Sequence, residues 1–330
     1  MMFLASPFHN TDLTFDVMDT KVLFSILVPA YKMQYLKECI DSILSQTYDF
    51  FEVIIVDDAS PYDIWSVVSL YNDKRIRYFR NEVGFGASNV VGNWNKCLEY
   101  ATGDYVICMG DDDMLMPSCL KDYIDVINKY PGLNVYHTRT LLINEQSEIC
   151  DIQELRPEYE TGYSLWWHRW DNRVKQYIGD FLYRRTHLVE NGGFYHLPLA
   201  WASDDITAVR AALPLGIANV QALGFLYRIN SDTISSSSDE RLKAKATELE
   251  KAWYESVLEN ADQSDPVDKI LISLLKNEIG DHFRWKFFQN MNNDIKQSLF
   301  NVSYWINEHR RYGIKIHEIV LSVFRNVLYK

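Results

Sequence analysis

Three adjacent carboxylates, Asp111, Asp112 and Asp113, follow the apolar run Tyr105-Val106-Ile107-Cys108-Met109 and a single glycine. Like charges this close repel, so the triplet calls for a counter-charge. A hard divalent cation supplies one, taking one or two carboxylates as ligands and its remaining oxygens from substrate phosphates and water. The same residues also read as a solvated acidic turn that caps the helix after Pro117. A second pair, Asp57-Asp58, closes the run Phe51 to Val56. Asp-Ala-Ser-Pro is good turn and cap chemistry. A carboxylate there could equally accept hydrogen bonds from a nucleobase edge or a ribose. A third pair, Asp204-Asp205, reads on its own as the N-cap of a helix running to Leu213.

The elements that carry these acids alternate. Val22 to Val28 is a short apolar run ended by Pro29, the pattern of a strand buried on both faces. Apolar residues at 36, 39, 40, 43 and 44 then keep helical spacing. Phe51 to Val56 predicts a second strand, 62–71 a helix, 75–79 a short strand, 93–100 a helix and 105–109 another strand. This rhythm predicts a doubly wound, mostly parallel α/β sheet. The acidic groups fall at the C-terminal ends of its strands, the edge where such sheets bind ligands. Residues 135–235 are mixed, with strand-like runs at 134–140 and 224–229. Four serines, Ser235 to Ser238, resemble a linker, and the pattern from Glu240 onward is helical. The organisation expected is an arm (1–20), a catalytic domain (21–235) and a C-terminal helical region (236–330).

Composition excludes several classes. The 330 residues carry a formal net charge of −12, and the first 240 hold 19 Lys/Arg against 33 Asp/Glu. Phosphate contacts need a basic surface, so a nucleic-acid partner is not expected. The five cysteines are odd in number and lack C-x-x-C spacing, which indicates neither a disulfide framework nor a zinc site. They read as reduced thiols of a cytoplasmic protein. Residues 1–20 lack the basic and apolar regions of a signal peptide. Gly84-Phe85-Gly86 is followed by Asn89 where a dinucleotide fingerprint needs glycine.

Six blocks in order extend these observations: Ser25 to Tyr31, Leu36 through Tyr48, Phe51 to Ser60, Asn93 through Tyr105, Gly110 to Pro117, and Gly192-Gly193-Phe194 with Ser203-Asp204-Asp205 and Arg210. Together they resemble the inverting family 2 glycosyltransferases of the GT-A fold, over residues 22–235. The resemblance implies transfer of a sugar from a nucleotide-diphosphate donor, a UDP-sugar first among them, to a glycan or lipid-linked acceptor in polysaccharide synthesis. It implies Mn²⁺ or Mg²⁺ as cofactor. Pro29, Ala30 and Tyr31 would line the base pocket, with Tyr31 stacking, and Asp58 would accept from the base. Asn95 and Asp111 would also serve nucleotide binding. Asp112 would ligate the metal, with Asp113 beside it. Asp204, six residues before Arg210, would be the general base, with Asp205 the neighbouring candidate. Ser203 stands where the family usually has Glu, and Asn230 where it often has a His that touches metal or diphosphate. Arg228 is then the expected diphosphate donor. The rival readings are a sugar nucleotidyltransferase, which would want a glycine-rich basic loop in place of Pro29-Ala30-Tyr31-Lys32, and a non-catalytic relative that binds sugar nucleotides or glycans.

Two aromatic stretches admit two readings each. Trp166-Trp167-His168-Arg169-Trp170 could stack on an acceptor sugar or belong to the core. Residues 281–330 hold eight Lys/Arg against four carboxylates, interleaved with Trp285, Phe287, Phe288, Tyr304, Trp305, Phe324 and Tyr329. Such helices suit either peripheral contact with the inner face of a membrane or packing on the catalytic domain or a second subunit of a homodimer.

Overall fold

The structure is a computed structural model describing residues 21–170, 173–230 and 239–328. The arm at 1–20 and the serine run lie outside the described residues, as does the boundary at 235–236.

The first half is the expected alternation: β1 (Phe24–Ala30), α1 (Leu36–Leu44), β2 (Phe51–Asp57), α2 (Ile64–Val68), β3 (Ile76–Arg80), α3 (Val90–Tyr100) and β4 (Tyr105–Cys108). Then follow β5 (Met114–Leu115), α4 (Cys119–Lys129), β6 (Val135–Ile143), β7 (Ile149–Ile152), β8 (Tyr159–Glu160), α5 (Gly162–Trp170), β9 (Phe181–Arg184), α6 (Arg185–Glu190), α7 (Ser203–Ala212) and β10 (Ile217–Arg228). The C-terminal part is α8 (Glu240–Glu259), α9 (Pro266–Gln297), α10 (Val302–Glu308) and α11 (Ile316–Leu328). The helix expected over 62–71 shrinks to the five residues of α2, capped by the Asp63 side chain on the Ser66 amide.

The sheet runs β3-β2-β1-β4-β9-β6-β10-β5, with β7 added to β6 and β8 to β10. Pairs β3–β2, β2–β1, β1–β4 and β6–β10 are parallel. Strand β9 enters antiparallel between β4 and β6, so the sheet is mixed beyond the parallel half. The order reverses at β1, which pairs with β2 on one side and β4 on the other. A crevice opens at that switch point, between the C-terminal ends of β1 and β4.

Side chains alternate across β1. Ile26 and Val28 join the cluster under α1, α2 and α4, while Leu27 joins the cluster that includes Trp94, Trp166 and Ile206. That second cluster continues without a break into the C-terminal helices through Tyr254, Phe283, Phe287 and Trp305. Trp166, fully buried, is its pivot, 4.3 Å from the Tyr254 ring and 5.1 Å from Trp170. The aromatic stretch of α5 therefore joins the helices to the sheet. Trp166→Ala is expected to cost about 3–5 kcal/mol in denaturant unfolding, the usual loss for a large aromatic core truncation. A loss under about 1 kcal/mol would mean that this junction adds little to stability.

Four of the five cysteines are buried, all five are free, and burial pushes the Cys39, Cys97, Cys108 and Cys119 thiols up. Among the described residues no helix is long and apolar enough to cross a membrane.

Candidate active site

A cavity of about 670 Å³ lies over the switch point. Its walls include Pro29, Tyr31, Asp58, Asp111, Asp112, Asp113, Asp204, Asp205 and Arg228. Chain segments far apart in sequence, from Pro29 to Arg228, thus meet in one space, because the acidic groups sit on strand ends and on the first turn of α7. Ala30 is fully buried behind this wall.

The triplet divides its labour. One Asp111 oxygen accepts the Tyr31 and Lys32 amides, both at 2.7 Å, which ties the end of β1 to that of β4 across the crevice. Asp113 accepts the Arg228 amide at 2.9 Å and the Gly110 amide at 3.3 Å. Burial and the nearby Asp112 carboxylate push Asp111 up to about 7 and Asp113 well above the carboxylate range. Asp112 is the member left half-buried, facing the cavity. Its Oδ2 accepts Asn230 Nδ2 at 2.6 Å, and no hydrogen bond falls on its Oδ1 among the described residues. A Cβ on Gly110 would lie 2.8 Å from that Oδ1 and 2.9 Å from Asp113 Oδ2, so only glycine leaves this cradle open. The donor set fits a cation that takes one carboxylate from the protein and the rest from phosphate and water. Asp113 spends one acceptor position of each oxygen on a backbone amide, so Asp112 is the more open ligand of the two. Among the described residues no three His, Cys, Asp or Glu converge on one point.

Asp58 closes the other end. Its Oδ1 accepts the Phe85 amide (2.8 Å) and Asn81 Nδ2 (2.9 Å), and its Oδ2 accepts the Gly86 amide (3.0 Å). A carboxylate offers about four acceptor positions, so one stays available to a base N–H. Gly84 is required in this loop, since its Cβ would sit 2.5 Å from the Asp58 carbonyl oxygen.

The third pair is split by its surroundings. Asp205 is held by Arg169 at 2.8 and 3.3 Å and by the Gln176 amide. Burial alone would raise it, but the guanidinium keeps it below the ordinary range. Burial and the Asp205 charge push Asp204 well above that range. Two neighbouring carboxylates thus acquire different proton affinities, the arrangement that assigns acid and base roles. The loop ahead of them is strained. Leu199, Ala200 and Ala202 have φ of 59°, 54° and 68°, a left-handed conformation that costs non-glycine residues about 1–3 kcal/mol each. This loop forms the cavity wall beside Asp204.

Two expected roles are corrected. Asn95 does not line the cavity. Its side chain exchanges hydrogen bonds with Phe194, at 3.1 Å to the carbonyl and 2.8 Å from the amide, and so fixes the Gly192-Gly193-Phe194 turn. Asn93, two residues earlier on the other face of α3, lines the cavity instead. Arg228 borders the cavity but is not aimed at a diphosphate. Its buried guanidinium donates to the Asp112 and Asn144 carbonyls, to Ser147 and to Glu38, and stacks 4.0 Å over Tyr35. A fork so engaged positions the Asp112 backbone.

Sequence reasoning missed Arg169, Tyr177, Trp201 and Lys286, all of which line the cavity. Lys286 comes from α9 and pairs with Glu250 of α8. No local pattern marks these residues, since each acquires its place only through tertiary packing.

The chain matches the Glycosyl transferase family 2 profile over residues 25–191, half of its length. It belongs to glycosyl transferase family 2. An uncharacterised glycosyltransferase of Rickettsia felis is 36% identical over 140 residues, covering 40% of this chain and 21% of that protein. One of Methanocaldococcus jannaschii is 30% identical over 145 residues, covering 42% and 48%. The chain therefore spans less than half the length of these relatives. Among solved structures, Staphylococcus aureus TarS with UDP-GlcNAc superposes with a TM-score of 0.61 at 18% identity, covering 92% of this chain and 88% of that one. Mannosyltransferase PcManGT of Pyrobaculum calidifontis, with GDP-Man and Mn²⁺, gives 0.51 at 15% identity, covering 93% and 87%. The fold of this family 2 member is thus the GT-A fold, with its helical region C-terminal to it.

Proposed function

We propose that this family 2 member is an inverting glycosyltransferase acting on a nucleotide-diphosphate sugar, with a UDP-sugar as the first candidate, and on a hydroxyl of a glycan or lipid-linked acceptor in polysaccharide synthesis. The observation that carries the reading is one cavity lined by Asp58 and Tyr31, by Asp112, and by an Asp204 whose proton affinity is raised. Tyr31, 46% exposed, offers a ring for the base, and Asp58 an acceptor for its N–H. Asp112 would hold Mn²⁺ or Mg²⁺, with Asn230 fixing the carboxylate. When bound, the ion offsets charge on the leaving diphosphate. Asp204 takes the proton of the acceptor hydroxyl as its oxygen bonds the anomeric carbon. The bond from that carbon to the diphosphate breaks on the opposite face, so the configuration inverts. Arg169 keeps Asp205 ionised and Asp204 poised to accept the proton.

Known structural neighbours bear on donor choice only as proteins that bind UDP-GlcNAc and GDP-Man. A screen of nucleotide sugars for slow donor hydrolysis, with and without Mn²⁺, is expected to give one preferred nucleotide and metal-dependent release of its diphosphate. No hydrolysis and no nucleoside diphosphate affinity across the panel would reject the reading.

A further inference from the structure

Helices α10 and α11 turn an apolar face outward. Ile306 on α10 is exposed, as are Ile316, Val320, Leu321 and Phe324 on α11. Positions 316, 320 and 324 fall on one helical stripe. Val302, Ile306, Ile316, Val320 and Phe324 border a common apolar groove of about 140 Å³. Phe300, in the turn before α10, is 93% exposed. Ile319 is the buried floor of this groove, and Ser322 on the far side of α11 is buried with its hydroxyl donating to Asn292 of α9 at 2.8 Å. Phe287, Trp305 and Tyr312 do not share this face, since they are in the core. So α11 is buried along Ile319 and Ser322 and leaves Ile316, Val320, Leu321 and Phe324 uncovered.

The unpaired charge around the uncovered stripe is positive. Lys296, Arg310, Lys315 and Arg325 are exposed and form no ion pair among the described residues. The two carboxylates of 296–328 are already engaged, Glu308 with Arg311 at 3.3 Å and Glu318 with Arg284 at 2.8 Å. The chain as a whole is strongly acidic, so this cluster stands against the general charge. An apolar stripe rimmed by uncompensated cations complements a surface that is anionic outside and apolar beneath. We propose that the α10–α11 face docks on a lipid bilayer containing anionic lipid, with α11 lying in the interface and Leu321, Phe324 and Phe300 entering the acyl boundary. A second copy of this chain is a poorer occupant, because a two-fold interface would set the basic rim against itself. Lys286, which lines the cavity, lies only eleven residues before the end of α9, about 17 Å along the helix. Docking would hold the cavity close to a membrane-borne acceptor; that consequence rests on the transferase reading, whereas the docking itself does not.

The test pellets the full chain at low salt with phosphatidylcholine vesicles and with vesicles containing phosphatidylglycerol. Binding to the second alone is expected, with release at high salt. Leu321→Asp with Phe324→Asp should abolish it. Lys315→Ala and Arg325→Ala should each weaken it about fivefold. All these side chains are exposed, so unfolding midpoints should match the parent chain. No pelleting with anionic vesicles, equal pelleting with neutral ones, or pelleting undiminished by the double aspartate variant overturns the proposal. So does a dimer in sedimentation velocity that Phe324→Asp dissociates, without vesicle binding; that result would give the face to a second copy.

Discussion

Asp204→Asn is expected to lower transfer by about 10²–10⁴-fold, the range for removing a general base, and to leave donor nucleotide affinity unchanged. The side chain lies at the first turn of α7, on the cavity wall. An amide of the same shape keeps the packing and loses the proton acceptor. The pH dependence gives a second readout. Burial and the Asp205 charge raise the Asp204 proton affinity. The base works only when deprotonated, so kcat/KM should fall as pH drops through a value above the ordinary carboxylate range of about 4. Asp205→Asn removes the neighbouring charge and frees Arg169 to face Asp204. Both changes favour the ionised base, so the acidic limb should move to lower pH while transfer persists. Loss of transfer in Asp205→Asn with retention in Asp204→Asn would exchange the two roles. A product that keeps the donor's anomeric configuration would reject the single displacement.

The strands of the parallel half were legible because burial on both faces produces continuous apolar runs, although β1 continues through Pro29 to Ala30, one residue past the proline expected to end it. Asp58, Asp111 and Asp112 could be placed from sequence for the same reason, since a carboxylate at a strand end has little choice of position. The mixed half was harder. Strand β9 is four residues long and pairs with β4 and β6, and nothing in Phe181-Leu182-Tyr183-Arg184 tells its direction. Strand β10 reaches back to Ile217 through a shifted register, beyond the 224–229 run that its alternation marks. Arg228 misled because a guanidinium near a diphosphate site and a guanidinium bracing an acidic turn look alike in sequence; burial and partners distinguish them. Asn95 was placed at the nucleotide by the resemblance alone; two residues on a helix turn a side chain by about 200°, so Asn93 and Asn95 face opposite ways. The reach of α9 into the cavity was illegible in principle, because a lysine in an amphipathic helix carries no sign of what the helix packs against.

Asp112→Asn is expected to remove the metal-dependent part of nucleoside diphosphate binding and to lower transfer about 100-fold or more, since charge stabilisation by a bound cation is worth several kcal/mol. The measurement that isolates the site is calorimetry of UDP with and without Mn²⁺, which needs no turnover. In the parent chain the ion should tighten binding; in the variant the two titrations should coincide. The fold should survive, because the amide oxygen at position 112 can still accept the Asn230 Nδ2 hydrogen bond now at 2.6 Å, and the side chain is only half-buried. Asp113→Asn is the contrasting case. Its carboxylate is buried and accepts the Arg228 and Gly110 amides. An amide can accept through only one of its two heavy atoms, so one of these donors loses its partner, and a buried donor left unpaired costs about 1–3 kcal/mol. Asp113→Asn should therefore lower the unfolding midpoint and leave the Mn²⁺ increment in the molecules that remain folded. If the increment instead disappears from Asp113→Asn at undiminished stability, Asp113 is a direct ligand and the cradle beside Gly110 holds two carboxylates on the ion rather than one.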